Sequence, residues 1–156
     1  MLINIKQFAL TGDFGPIKIG ENKNSVLNIL GKPDDEADLG SSGSEIIFAW
    51  YELFLDSNEE LFAIQIDNYV SEDPETYNFE NDKFKIEPWL MTSPKAPSYN
   101  DVIVLLKSEG VSFDEFEYYE RSCIKLESDV VIDFHEEPKA VGLRPLLGFR
   151  YWPTFN

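Results

Sequence analysis

The sequence predicts an α+β domain built of tandem helix–strand–strand–strand units, with the helices packed on one face of an antiparallel sheet. Two apolar stripes at helical spacing, Val26-Leu27-Asn28-Ile29-Leu30 and Val102-Ile103-Val104-Leu105-Leu106, each precede short β-prone runs. The turns inside those runs also match. Leu53-Phe54-Leu55-Asp56-Ser57-Asn58 parallels Ile124-Lys125-Leu126-Glu127-Ser128-Asp129, each a short strand entering an acidic-Ser-Asx turn.

The first unit covers about residues 13–70. Asn22 or Asn24 caps its helix, Gly31 supplies the stop and Pro33 blocks continuation. Residues 34–44 read as a loop, and strands follow over 45–51, 53–55 and 61–67, the last two joined as a hairpin through 56–60. An irregular connection over 71–97, holding Pro74, Pro88, Pro94 and Pro97, leads to the second unit at 98–152. There Ser98, three residues before Asp101, forms a weak capping box, and Gly110 ends the helix. Strands are expected over 113–120, 124–127 and 130–135, with 146–152 as a last one, all within a single domain.

Alternation assigns the faces. Phe62, Ile64 and Ile66 should point to the core, with Gln65 and Asp67 outward. Ile124, Leu126, Val130, Ile132 and Phe134 should point inward, with Cys123, Lys125, Glu127, Asp133 and His135 outward. The outer face then reads as polar and acidic, as expected of a sheet wetted on one side.

Composition narrows the partners. A chain of 156 residues, 43% hydrophobic and 27% charged, is long and apolar enough to bury a core. Its 29 acidic and 13 basic residues leave a net charge of −16, which argues against nucleic acid and anionic membranes and for a basic protein surface. The single cysteine excludes an internal disulfide. With no basic n-region in Met1–Lys6, no glycosylation sequon and no apolar run long enough to span a bilayer, the expected compartment is the cytoplasm.

The motifs of catalysis fall short. Gly15-Pro16-Ile17-Lys18-Ile19-Gly20 has P-loop glycine spacing, but Glu21-Asn22 follows where Lys-Ser/Thr is needed. Gly40-Ser41-Ser42-Gly43 reads as flexible loop, not a nucleophile elbow. The lone histidine, His135, cannot build a His-rich metal site. A Cys123/His135 pair on adjacent strands is conceivable, but acidic surroundings disfavour a thiolate. The clusters Asp34-Asp35-Glu36 with Asp38, Asp56 with Asn58 and Glu60, and Glu72-Asp73 do not match an EF-hand loop, so neither metal nor cofactor is expected.

Aromatics are more informative. Trp50, Tyr51, Tyr118 and Tyr119 lie among Glu45, Glu52, Glu115, Glu117 and Glu120, and adjacent Tyr118 and Tyr119 must take opposite faces of a strand.

Two stretches carry a resemblance. Gly12-Asp13-Phe14-Gly15-Pro16-Ile17-Lys18-Ile19-Gly20 and Val26-Leu27-Asn28-Ile29-Leu30-Gly31-Lys32-Pro33-Asp34-Asp35, with the later Ile66-Asp67-Asn68-Tyr69 and Pro88-Trp89, resemble an uncharacterised bacterial family with the pattern G-x-[FW]-G-P-[IL]-x-[IL]-G, a short helix and L-G-x-P-D-D. That resemblance implies an immunity protein for a bacterial toxin. The same G…V-x-x-x-L-G-x-P unit is similar to outer-membrane assembly lipoproteins and β-lactamase inhibitory proteins, the latter tandem helix-plus-strand repeats whose sheet grips an enzyme. This sequence departs from both in lacking a secretion signal and a lipobox cysteine.

The expectation is therefore an acidic inhibitor that occludes a basic protein, for example a nuclease toxin. Its candidate contact residues are Asp34, Asp35, Glu36, Asp67, Glu117, Tyr119, Asp133 and His135, with the loops 34–44 and 71–82 adding to the acidic surface. The rivals are an enzyme or small-molecule binder with a pocket between helices and sheet, and a self-associating structural module.

Overall fold

A computed structural model describes residues 1–67, 77–92, 96–135 and 144–152. The expected Asn68-Tyr69 motif, Glu72-Asp73, Pro74 and Pro94 lie outside the described residues. The strands are β1 (Leu2–Asn4), β2 (Asp35–Asp38), β3 (Ser44–Phe48), β4 (Tyr51–Leu55), β5 (Leu61–Ile66), β6 (Lys85–Glu87), β7 (Phe113–Tyr118), β8 (Arg121–Leu126), β9 (Val130–Phe134) and β10 (Leu146–Tyr151). The α-helices are α1 (Ile5–Thr11), α2 (Lys23–Leu30) and α3 (Tyr99–Ser108).

Eight strands form one antiparallel sheet in the order β2-β3-β4-β5-β10-β9-β8-β7. The order is symmetric about its centre: each half is a helix followed by a four-stranded meander, and the last strands, β5 and β10, pair antiparallel. The α+β class, with its helices on one face of an antiparallel sheet, is therefore as expected. The first unit holds one strand more than expected, β2, while the second has the four strands expected of it. β2 falls where a loop is expected, because Asp35-Glu36-Ala37-Asp38 has little β-propensity; pairing with β3 imposes the conformation.

The helices carry the signals predicted for them. Asn22 caps α2 by accepting from Ser25 N at 3.0 Å. Ser98 and Asp101 complete the capping box of α3. Val26 and Leu30 of α2 and Val102 and Leu106 of α3 join the same buried cluster as the inner face of the sheet. An additional helix, α1, follows Asn4, whose side chain accepts from Gln7 N. The stretch 12–20 is a plug: Phe14 and Ile17 exchange backbone hydrogen bonds and are fully buried.

The connection between the halves is partly core. Tyr77, Phe84, Ile86 and Met91 are buried, and β6 pairs parallel with β1. Leu146–Tyr151 is a central strand of the sheet.

Alternation mispredicts Phe62, as well as Tyr119, which lies in a turn with its ring against Tyr118 instead of on the opposite face of a strand. A register shift between Phe54 and Leu55 in the β4–β5 pairing lets Leu61 take the inward position, and Phe62 turns outward against Phe54 and Trp152. Ile64 and Ile66 point inward as expected.

Gly148 makes the central pairing possible. A Cβ there would lie 1.8 Å from the Ile66 carbonyl oxygen. Gly148→Ala should therefore push β10 from β5 and cost about 3 kcal/mol or more, the upper range for overpacking. Urea unfolding of the variant checks this; wild-type stability would contradict it.

Candidate functional site

Strand direction decides which candidate residues meet. Following the meanders, the start of β2, the β3–β4 turn, the end of β5, the end of β9 and the β7–β8 turn all fall at one end of the sheet. That rim carries Asp34 and Asp35, Trp50, Asp67, His135, Glu117 and Tyr119. It runs the full width of the sheet, about 34 Å at the usual strand spacing.

Individual residues play different parts. Asp34 accepts from Ala49 N at 2.8 Å and so fixes the β3–β4 turn, where Ala49 has φ 54° and leaves Trp50 43% exposed. Asp35 is exposed beside it. Tyr119 is 76% exposed at the tip of the β7–β8 hairpin. Its left-handed backbone and that of Glu120 form the turn, and its ring packs edge-on against Tyr118 at 4.6 Å. Glu117 is exposed on the edge strand, and Asp67 and His135 are half-buried.

Two candidates differ from expectation. Glu36 pairs with Ile46 on the helix side of the sheet and salt-bridges Lys23 of α2 at 2.7 Å, away from the rim. Asp133 points outward as alternation requires, yet it is 1% exposed, so it is no contact residue. Its carboxylate ion-pairs with Arg150 and lies 3.3 Å from the Cys123 sulfur. Strand position gives direction but not cover.

Cys123 is fully buried, and burial, followed by the Asp133 carboxylate, pushes its thiol up to about 12. Its cross-strand neighbour is Asp133, so the conceivable Cys123/His135 pair gives way to an inert thiol beside a carboxylate.

The more unusual chemistry lies beside Asp67, on the outer face of β3, β4 and β5. Glu45 pairs with Phe54, and Glu52 with Gln65. Gln65 Nε2 donates to Glu52 at 3.0 Å and to Asp67 at 2.9 Å. Partial burial, then Asp67, then Glu45 raise the Glu52 carboxyl to about 7. Partial burial, then Asp67 and Asp35, raise Glu45 as well. Below them Phe54, Phe62 and Trp152 pack together, with centroids 4.8 Å apart for Phe54–Trp152 and 5.8 Å for Phe62–Trp152. The signal for this surface was available in Leu53-Phe54-Leu55, whose alternation puts Phe54 outside once both leucines are inside.

Other acidic groups are turn-makers. Asp56 accepts from Asn58 N and Glu60 N across the β4–β5 turn; its carboxyl is lowered chiefly by the Glu60 amide. A cleft of about 480 Å³ near that turn is lined by Lys23, Glu36, Asp38, Ser44, Asp56 and Glu59. It lies over turns and the β2 edge, whereas the space between helices and sheet is occupied by the core cluster. Among the described residues no group of three or more His, Cys, Asp or Glu side chains is arranged to hold a metal, and no helix is long and apolar enough to cross a membrane.

No family model matches the chain, and no curated protein matches it. Among solved structures, it is similar to an extracellular protein containing a SCP domain from Bacillus anthracis str. Ames, at 11% identity and a TM-score of 0.42. The match covers 88% of this chain and 44% of that one, so the chain spans less than half of that protein's length.

Two outcomes follow from the geometry. Between an ordinary 4.5 and about 7 at Glu52, the folded chain holds more protons than the unfolded one, so stability should fall as pH rises through that window. Glu52→Gln should flatten this slope and raise stability at pH 8 by on the order of 1 kcal/mol, a figure discounted for its half-exposed position. Thermal melts across the pH range check this; an unchanged slope would contradict it. The Cys123 thiol should resist a disulfide reagent in the folded protein and react once denaturant is added; rapid native reaction would contradict its burial.

Proposed function

We propose that this chain is an inhibitor of the immunity-protein kind, acting in the cytoplasm by covering a basic protein, with a nuclease toxin as the leading candidate. The mechanism is occlusion and needs no chemistry from the chain itself.

The observation that carries the reading is the crowding of Glu45, Glu52 and Asp67 on one sheet face of a chain with net charge −16. Holding like charges together at a half-buried surface costs stability. A cationic partner placed over that face offsets this repulsion with attraction to each carboxylate. The rim extends the field with Asp34, Asp35 and Glu117, and offers Trp50 and Tyr119, residue types that dominate interface hot spots. The buried, proton-holding Cys123 supports binding over nucleophilic catalysis.

The test is capture from the native cell at low salt and then raised salt, read by mass spectrometry. One basic protein retained in stoichiometric amount, released as salt rises, and losing its enzymatic activity when this chain is added, is the expected result. Retention of no basic protein at any salt concentration, or a captured enzyme that keeps full activity, would sink the reading.

A further inference from the structure

The outer face of the sheet holds an apolar feature that charge alone does not explain. Phe54, Phe62 and Trp152 are half-buried and lie on the side opposite the helices. Their rings meet at steep angles, 66° for Phe54–Trp152 and 77° for Phe62–Trp152, so the triad is packed against itself while each ring keeps some surface in solvent.

Two carboxylates flank the triad, while the nearby cation Arg150, two residues before Trp152, is already paired with Asp133. Glu45 is the cross-strand partner of Phe54, and Glu52 precedes Phe54 by two residues on the same face. By ordinary strand geometry the Phe54 backbone lies about 5 Å from that of Glu45 and about 7 Å from that of Glu52. Long carboxylate side chains reach across both distances.

We propose that this triad, with Glu45 and Glu52, is the seat for an arginine side chain of a basic protein partner. The inference rests on the inhibitor reading above and adds the place and chemistry of the contact. A guanidinium is planar and weakly hydrated, stacks on aromatic faces, and donates to carboxylates two at a time. An ammonium matches the charge but not the stacking. A second copy of the chain fits poorly, because symmetric contact through this face brings Glu45 and Glu52 of both copies together. A purely apolar occupant would bury the two carboxylates without a counter-charge.

The probes are a hexa-arginine peptide and a hexa-lysine peptide, titrated into the ¹⁵N-labelled protein. The expected result is that hexa-arginine shifts the Trp152 indole N–H and the amides of Phe54, Phe62 and Glu52, and binds more tightly than hexa-lysine. Trp152→Leu should weaken hexa-arginine roughly five-fold, the loss of one cation–π contact, and bring the two peptides closer together. Phe54→Leu serves as a second variant, and the wild-type shift map needs no variant at all. If hexa-arginine binds but shifts only rim residues such as Asp34 and Tyr119, or binds the Trp152→Leu protein as well as wild type, the seat is wrong while the acidic-binder reading stands. If neither peptide binds at low salt, both fail. A dimer seen in sedimentation and abolished by Trp152→Leu would give the face to a second copy and overturn the proposal.

Discussion

Everything distinctive about this molecule depends on the antiparallel pairing of β5 with β10. Each half of the chain makes a four-stranded meander, and only this seam turns the two into one sheet. The seam is tight: Phe149 faces Ile66, Tyr151 faces Ile64, and Gly148 brings its backbone where a side chain would strike Ile66. On the outer side Arg150 lies opposite Gln65 on one flank and reaches Asp133 on the other. That ion pair is almost wholly buried, so removing either partner would strand a charge at a site where water cannot compensate it.

The joined sheet fixes what is available for function. Its inner face is consumed by the helices, the plug at Phe14 and Ile17, and the segment around Phe84 and Ile86. The outer face and one rim remain, and they hold Glu52, Glu45, Asp67, the Phe54–Phe62–Trp152 triad, Trp50 and Tyr119. Burial and neighbouring carboxylates that raise Glu52 and Glu45 detract from folding stability, a pattern familiar where binding sets the demand. The halves are not equivalent here. On the outer face Cys123, Val131 and Asp133 of the second half are buried, whereas Glu45, Glu52, Phe54, Phe62 and Gln65 of the first are half-buried.

Local signals carried much of the architecture. Caps at Asn22 and Ser98, the apolar stripes, and the acidic turns after Leu55 and Leu126 are short-range features and are legible in the sequence. The remaining features are decided at long range. β2 has no propensity of its own and exists because β3 lies beside it. Phe62 turned outward because of a bulge that no alternation rule encodes. Asp133 pointed the expected way but was covered, and Glu36 went to Lys23. For the candidate site, Asp34, Asp35, Asp67, Glu117 and Tyr119 were legible as surface groups, yet their meeting on one rim came from strand order alone. The outer aromatic triad required the placement of Trp152 beside β4 and β5, which only the central position of β10 provides.

The central claim is that the sheet face opposite the helices, with its acidic rim, is the binding surface. Amide hydrogen exchange of the chain alone and with its captured basic partner tests it most directly. The account predicts new protection in β3, β4, β5 and the Trp50 and Tyr119 turns, with α2 and α3 unchanged. Protection confined to α2 and α3 would contradict it.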